Sequence, residues 1–177
     1  IVKPTTSAYA SPLVIITKKD QKPRLCVDYW ALNTIMKPDR WPLPNMEEIL
    51  DDLHGSRYFT TIDLFSGYWQ IKVADSCKEK TTFVCKYGTF SFEVLPFGLM
   101  NAPATFQRMM DKILPCYPFV QVYINDVNIF SQTVEEHIEH VIQTINLIAS
   151  YGLRLKLSKC YFVKKEIKLL GHIVDKD

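Results

Sequence analysis

Long hydrophobic runs, internal repeats and a strong net charge are all missing from this sequence. No apolar run approaches the roughly 20 residues that a helix needs to cross a bilayer. This excludes a transmembrane helix, and we also expect no signal peptide before the first predicted strand. The net charge is only +2, so the chain as a whole lacks the electrostatics that mark a nucleic-acid-binding protein.

Paired cysteine motifs are also missing. The five cysteines are odd in number and none forms a C-x-x-C pair: Cys26, Cys77, Cys85, Cys116 and Cys160. This pattern favours reduced thiols in an intracellular protein over a disulfide framework or a zinc site. His137 and His140 are spaced i, i+3 on a predicted helix, but no neighbouring residue completes a metal set.

The composition is sufficient for a packed core. Of 177 residues, 47% are hydrophobic and 12% are aromatic, which suits one substantial domain. The chain begins at Ile1 without a Met, and we expect it to be part of a longer protein. Basic residues form two groups. Each group is interpreted either as solvent-exposed side chains or as a phosphate-binding surface. The groups are Lys18, Lys19, Lys22 and Arg24, and Lys156, Lys159, Lys164, Lys165 and Lys168.

Hydrophobic periodicity predicts a mixture of strands and helices without regular βα alternation. Strands are predicted at 12–17, 23–28, 58–64, 69–73, 81–86, 88–95, 153–157, 161–163 and 167–174. Helices are predicted at 45–54, 102–114 and 133–151. The fold class is therefore α+β with a mainly antiparallel sheet. We expect the helices to cover one face and to leave the other open to a ligand.

Two of these helices carry start signals. Asn45 with Glu48, and Thr133 with Glu136, have the spacing of a capping box. In the last helix, a stripe of apolar residues is predicted to be buried. The stripe comprises Ile138, Val141, Ile142, Ile145 and Ile148.

The segment Val120 to Ser131, VQVYINDVNIFS, is central to the chain. Two short apolar runs flank Asn125 and Asp126, and both of these residue types tolerate the left-handed backbone angles of a hairpin turn. The pattern predicts a hairpin whose tip presents the carboxylate of Asp126 beside the amide of Asn125. Such a pair is most often only a good turn.

A second carboxylate gives that tip a chemical interpretation. Asp63 ends the predicted strand 58–64, and if this strand neighbours the hairpin, Asp63 and Asp126 converge. Mg²⁺ prefers such oxygen ligands, and two ions can activate a hydroxyl and stabilise a leaving pyrophosphate. The alternative is two aspartates that only end their strands.

Four stretches cover most of the chain, in the order SPLVIITKKDQKPRLCVDYWALN, YFTTIDLFSGYWQIKV, FSFEVLPFGLMNAPATFQRMM and GLRLKLSKCYFVKKEIKLLGHIV. In that order they resemble the fingers, motif A, motif B, and motif D with the primer-grip hairpin of the reverse transcriptases of gypsy-type LTR retrotransposons, and the resemblance extends over essentially the whole chain. The resemblance implies a polymerase palm, a ferredoxin-like antiparallel sheet with helices on one face, plus partial fingers. It also implies an RNA-directed DNA polymerase that joins a dNTP to a primer 3′-OH.

The resemblance implies a metal site at the hairpin. Asp63 matches the motif A metal ligand, and Tyr123 to Asp126 matches the Y-x-D-D tip. Asp63 and Asp126 are thus the implied catalytic metal ligands for two Mg²⁺ ions, with Mn²⁺ as a substitute.

The resemblance also implies substrate contacts. Tyr68 matches the aromatic gate that excludes a ribose 2′-OH, with a packed tyrosine as the alternative. Lys18 and Arg24 match residues that hold the incoming triphosphate. The other implied substrate-binding residues are Phe97 and Gly98, in the loop under the nucleotide and template, and Lys159, in motif D.

The implied organisation is one reverse transcriptase fingers and palm fragment over 1–177. Fingers-side elements are expected at about 1–57 and 74–95, and the remainder is mainly palm. The implied partners are a primed RNA or DNA template, dNTP and the rest of a Pol polyprotein, with thumb, RNase H and integrase. The implied location is the cytoplasm, in virus-like particles, without a membrane partner.

Two residues depart from the family pattern. Asn125 stands where the family has the first aspartate of the tip, so the metals lose a unit of negative charge. Trp30 stands where V-D-Y-R-A-L-N has arginine, so a cation that would contact the template is missing. We therefore expect impaired or absent catalysis. A non-catalytic nucleic-acid-binding module and a decayed retroelement relic remain the alternatives.

Overall fold

The structure is a computed structural model, and it describes residues 1–17, 21, 23–114, 117–169 and 171–175. The chain divides into two compact units. Unit 1 comprises Ile1–Arg40 and Ser66–Pro103, and unit 2 comprises Trp41–Phe65 and Ala104–Asp177. Each unit is built from two separate stretches of the chain, so the connections at 40–41, 65–66 and 103–104 cross between them.

Unit 1 contains a five-stranded sheet in the order β1-β6-β5-β2-β3. Its strands are β1 (Val2–Pro4), β2 (Ser11–Thr17), β3 (Pro23–Val27), β5 (Phe83–Cys85) and β6 (Gly88–Phe92). The pairings are antiparallel except for β2 with β5, which is parallel. Unit 1 also holds α1 (Trp30–Ile35) and α3 (Asp75–Lys78).

Unit 2 contains a four-stranded antiparallel sheet in the order β7-β8-β4-β9. Its strands are β4 (Tyr58–Asp63), β7 (Val120–Tyr123), β8 (Asp126–Ser131) and β9 (Tyr161–Lys164). A separate hairpin pairs β10 (Ile167–Leu169) with β11 (His172–Val174). The helices are α2 (Met46–Leu53) and α5 (Val134–Ser150), while α4 (Ala102–Ile113) begins in unit 1 and continues into unit 2.

The two predicted helix caps form in different ways. Thr133 and Glu136 make the complete capping box at the start of α5. Asn45 caps α2, but its side chain accepts from the N–H of Glu47 at 3.3 Å instead of from that of Glu48. Both contacts satisfy an N–H that would otherwise lack a partner in the first helical turn.

The helices of unit 2 pack on opposite faces of its sheet. On α5, His137 reaches Thr60, whereas on α2, Ile49 and Leu53 form a buried cluster with Phe59 and Phe130. Thr60 and Phe59 are consecutive in β4 and therefore point to opposite faces. The expectation that α2 covers the same face as α5 is wrong, because its apolar stripe meets the two phenylalanines on the opposite face.

The buried face of α5 also differs from the predicted stripe. Val141 and Ile148 are buried as expected, but Ile138 and Ile142 are 49% and 53% exposed. His137 and Thr144 are fully buried instead. The physical reason is hydrogen bonding: Thr60 and Ser131 supply partners for both ring nitrogens of His137, which rotates polar residues into the interface.

Two short segments form turns where strands were predicted. Gly67–Gln70 is a 3₁₀ helix instead of the start of a strand at 69–73. It follows Ser66, whose φ of 50° is left-handed and ends the extended path of β4. The predicted strand 153–157 is reduced to one bridge between Leu155 and Leu64, and a 3₁₀ helix follows at Leu157–Lys159.

Candidate active site

Asp63 and Asp126 are direct partners in the sheet of unit 2. Asp63 is the last residue of β4, Asp126 is the first residue of β8, and the register pairs them. Cross-strand partners project from the same face of a sheet, so the two carboxylates are neighbours. The two strands are therefore adjacent, as convergence of the two aspartates requires.

The electrostatics of this pair are unfavourable without a cation. Burial raises the pKa of the Asp126 carboxyl, the charge of Asp63 raises it further, and Lys159 acts in the opposite direction. Burial and a nearby like charge both disfavour the ionised form. A bound cation would relieve both effects.

The tip of the hairpin differs from the expected geometry. The turn consists of Ile124 and Asn125, because Tyr123 and Asp126 already pair with each other. The left-handed residue is Ile124, with φ of 54°, so the tolerance of Asn and Asp for that conformation is not what forms this turn. A β-branched residue with positive φ is a true outlier, and such strain persists only when the surroundings impose it.

Gln107 on α4 imposes that conformation. Its Oε1 accepts the N–H of Ile124 at 2.8 Å, and its Nε2 donates to the carbonyl of Val122 at 3.0 Å. The same nitrogen donates to Asp111 at 2.9 Å, and Gln107 is fully buried. This role of Gln107 was not predicted from the sequence, although a glutamine between Phe106 and Met110 on an apolar helix face was the available signal.

The residues at the tip fit a hard divalent cation. Asp63 and Asp126 supply carboxylate oxygens, which are the ligands that Mg²⁺ prefers. The side-chain oxygen of Asn125 is buried and has no hydrogen-bond partner among the described residues, so it is available as a neutral third ligand. Within the described part of the chain, no cluster of three or more His, Cys, Asp or Glu residues has metal-binding geometry.

Lys159 lies at the same place. Its Nζ is 3.4 Å from Oδ2 of Asp63. The two aspartates and Lys159 line a cavity of about 740 Å³, which is further bounded by Thr61, Tyr161, Lys164, Lys165, Glu166, Ile167 and Lys168. The cavity lining therefore combines the two aspartates with four lysines and one glutamate.

The other predicted substrate-binding residues belong to unit 1. The guanidinium carbon of Arg24 is 5.3 Å from the ring centre of Phe97. The rings of Tyr68 and Trp69 contact Phe97 at centroid distances of 5.1 and 5.8 Å, and burial raises the pKa of the Tyr68 hydroxyl. Arg24, Tyr68 and Phe97 thus form one contact group. Lys18 lies outside the described residues.

Gly98 is held in a fixed loop by Asn33. The side chain of Asn33 donates to the carbonyl of Gly98 and accepts the N–H of Met100, both at 2.9 Å. Gly98 has φ of 93°, a backbone conformation that residues with a Cβ rarely adopt, so glycine suits this position. This role of Asn33 was not predicted from the sequence.

Trp30, which stands where the family pattern has arginine, is 73% exposed.

The α+β fold, in which Asp63 at the end of β4 faces Asp126 at the start of β8, is that of a polymerase palm, and comparisons with known proteins identify the family. Residues 16–174 match the family model described as reverse transcriptase (RNA-dependent DNA polymerase). The chain is 42% identical over 186 residues to the retrovirus-related Pol polyprotein from transposon 297 of Drosophila melanogaster. It is 38% identical over 189 residues to that from transposon gypsy of the same organism. The chain belongs to the reverse transcriptase family.

Solved structures agree with this assignment. The foamy viral protease-reverse transcriptase in complex with RNA/DNA hybrid matches with a TM-score of 0.92 and 25% identity over 99% of this chain and 24% of that one. A second structure of that protein, in complex with double-stranded DNA, also has a TM-score of 0.92, with 26% identity over 99% of this chain and 31% of that one. The predicted fold class and the resemblance to gypsy-type retrotransposons are both confirmed.

The chain is short in comparison with these relatives. It is covered completely by both transposon polyproteins but spans only 17% and 18% of their lengths. None of the described helices is long and apolar enough to span a membrane.

Proposed function

We propose that this chain is the part of a retrotransposon reverse transcriptase that transfers a nucleotidyl group from dNTP to a primer 3′-OH. The observation that carries the proposal is the pairing of Asp63 with Asp126 in a family member. The carboxylates would hold the cation, and the pairing of β4 with β8 fixes their separation. Gln107 positions the hairpin from behind.

The cofactor in this proposal is Mg²⁺, with two ions in the complete family site and Mn²⁺ as a substitute. When bound, the ions supply activation of the primer hydroxyl and charge stabilisation on the leaving pyrophosphate. Asp63 and Asp126 would hold them, since carboxylate oxygens suit this metal.

The substrate contacts follow from the family resemblance. Arg24 and Lys18 bind the triphosphate, Arg24 through a planar fork and Lys18 as a point charge. Tyr68 excludes a ribose 2′-OH, and its packing on Phe97 fixes the ring. Phe97 and Gly98 support the nucleotide and the template. Lys159 faces the leaving phosphates.

The proposed domain arrangement is a fingers and palm fragment, with fingers-side elements at about 1–57 and 74–95. The proposed partners are a primed RNA or DNA template, dNTP and the remaining polyprotein segments, namely thumb, RNase H and integrase. Two observations support these partners: the solved relatives are complexes with RNA/DNA hybrid and double-stranded DNA, and the curated relatives are much longer than the chain. We propose a cytoplasmic location, in virus-like particles.

Asn125 makes this copy a weak or inactive polymerase. A neutral amide replaces a charged ligand beside two carboxylates, and loss of one preorganised charge-stabilising group costs on the order of 10²–10³ in rate. The second candidate function is nucleic-acid binding without catalysis. Asn125 favours it, because the turn remains intact when the charge is lost.

Primer extension distinguishes the two functions. The chain within its parent polyprotein, and its Asn125→Asp variant, are assayed on a primed RNA template with Mg²⁺ and then with Mn²⁺. We expect extension by Asn125→Asp to exceed that of the native chain by roughly 10²-fold or more. Addition of Asp63→Asn should abolish it. Equal extension by native and Asn125→Asp proteins would show that Asn125 is a competent ligand. Template binding without extension by Asn125→Asp would favour the second function.

A further inference from the structure

Lys159 is anchored to the strand that carries Asp63. The N–H of Lys156 donates to the carbonyl of Asp63 at 2.8 Å, and the N–H of Lys159 donates to the carbonyl of Lys156 at 2.8 Å. The preceding residues add a bridge between Leu155 and Leu64. These contacts hold the backbone that carries Lys159 next to the strand end that carries Asp63.

The cavity at the hairpin carries more ammonium groups than carboxylates. Its described lining contains four lysines, Lys159, Lys164, Lys165 and Lys168, and three acidic residues, Asp63, Asp126 and Glu166. Of these lysines, Lys159 forms an ion pair with Asp63, at 3.4 Å. A cation that binds Asp63 must therefore compete with an ammonium group that is already in place.

Asn125 shifts this competition further towards the lysine. An aspartate at this position would add a third negative charge at the site, whereas the amide oxygen of Asn125 is neutral and buried without a hydrogen-bond partner among the described residues. Two divalent cations bring four positive charges, and Asp63 and Asp126 neutralise only half of them. The Lys159 ammonium brings one charge and needs no extra ligands.

We propose that Lys159 is the resident counter-ion of Asp63 and competes with divalent cations for it, so that this chain binds one divalent cation where the family site binds two. The inference rests on the proposed metal site of Asp63 and Asp126. It makes Lys159 a residue that determines metal affinity and number, in addition to its proposed contact with phosphate.

Binding of Mn²⁺ alone tests this inference. The loss of the electron paramagnetic resonance signal of free Mn²⁺ is followed as the protein is titrated, which gives both affinity and stoichiometry. We expect one Mn²⁺ per native chain. Lys159→Met should tighten its binding by about tenfold, because an adjacent positive charge is removed from a partly exposed site. Lys159→Arg keeps the charge and should bind Mn²⁺ as the native chain does.

Lys164→Met is the matched control, since Lys164 lines the same cavity and makes no ion pair with either aspartate among the described contacts. Its effect should be about twofold or less. Equal tightening by Lys159→Met and Lys164→Met would overturn the proposal, as would two Mn²⁺ ions per native chain or no detectable binding by native and Lys159→Met proteins. The side chain of Lys159 is 58% exposed, so its replacement should lower the thermal unfolding midpoint of the metal-free protein only slightly.

Asp63→Asn separates this inference from the proposed function. If Asp63→Asn binds Mn²⁺ as well as the native chain does, the ion lies elsewhere and the carboxylate site itself is wrong. If Asp63→Asn loses Mn²⁺ but Lys159→Met leaves the affinity unchanged, the site is right and the role of Lys159 is wrong.

Discussion

The buried side chain of Gln107 forms a hydrogen bond with the backbone of Ile124 in unit 2. Its side-chain oxygen accepts the N–H of Ile124 at 2.8 Å, and Ile124 has the left-handed φ of 54°. Two residues further along the chain lies Asp126, which faces Asp63. The strained turn at Ile124 and its hydrogen bond with Gln107 together fix the position of Asp126.

Replacement of Gln107 by Ala should loosen this turn. Both of its hydrogen bonds to the hairpin backbone are lost, and the part-buried N–H of Ile124 and the buried carbonyl of Val122 are left without these partners. We therefore expect a loss of roughly 1–3 kcal/mol in the free energy of unfolding. Urea denaturation measures this loss, and hydrogen exchange at Ile124 measures the local opening. Gln143→Ala is the control, because Gln143 is exposed on α5. If the hydrogen-exchange rate of the Ile124 amide were unchanged in Gln107→Ala, the hydrogen bonds of Gln107 would not be what stabilises the turn.

The Asn125→Asp change should make the metal-free protein less stable. A third carboxylate beside Asp63 and Asp126 raises folded-state pKa values above their unfolded ones, in the direction already found for Asp126. The penalty of roughly 1–2 kcal/mol is therefore present at neutral pH and declines as acid protonates the site. Mn²⁺ should reverse it.

Thermal unfolding with and without Mn²⁺ at neutral and acidic pH measures this effect. The native chain should show a smaller rise in midpoint with Mn²⁺ than Asn125→Asp does. If the native chain and Asn125→Asp had equal unfolding midpoints without metal at neutral pH, the new carboxylate would be too far from Asp63 and Asp126 to repel them.

Local patterns predicted much of the fold. The two apolar runs around the hairpin turn and the Thr133–Glu136 box all act over a few residues, and the structure contains both strands of the hairpin and the complete box. Long-range effects were not predictable in this way. The burial of His137, on a helix where Ile138 and Ile142 are exposed, depends on the hydroxyl of Thr60 in β4, which lies 77 residues away in the sequence.

The site was predictable in part for the same reason. Asp63 and Asp126 each end or begin a strand, and their sequence context places them at strand ends. Which residue adopts the left-handed conformation was not predictable, because residue preference favours Asn125, whereas the hydrogen bond that the N–H of Ile124 donates to Gln107 selects Ile124. Asn33 likewise acts on Gly98 from 65 residues away.

Tyr68 should control the choice of sugar. In the Asn125→Asp background, Tyr68→Val should raise the efficiency of ribonucleotide incorporation relative to deoxyribonucleotide by roughly 10²-fold, since a steric exclusion is removed. Tyr68→Phe is the control, because it retains the ring that packs on Phe97. The ratio of kcat/KM for the two nucleotides measures the effect. An unchanged ratio in Tyr68→Val would support the alternative of a packed structural tyrosine.

His137 connects β4, β8 and α5 through its ring. Its Nε2 lies 2.7 Å from the hydroxyl of Thr60, and its Nδ1 lies 2.9 Å from that of Ser131. Ser131 also lies 2.9 Å from Nδ1 of His140, whose ring stacks on Phe119. Burial, followed by the charge of His140, lowers the pKa of His137 from 6.5 to about 4.

This lowered pKa should make the protein sensitive to acid. Above pH 6.5, His137 is neutral in both the folded and the unfolded chain and adds no pH dependence. As the pH falls from 6.5 to about 4, the unfolded chain gains a proton that the folded chain does not. Stability is therefore lost over that window, by on the order of 2 kcal/mol, and the loss levels off below it.

Urea denaturation across this pH range, with His137→Gln and His54→Gln, tests the assignment. His54→Gln removes an exposed histidine of the same unit and should keep the acid-induced loss. His137→Gln should be less stable at neutral pH but should show a smaller loss on acidification. Asp126 titrates with the opposite sign and is present in every variant, so it cancels in the comparison. If His137→Gln retained the full acid-induced loss, the proton would bind elsewhere, and the buried ring would be only a packing element between the sheet and α5.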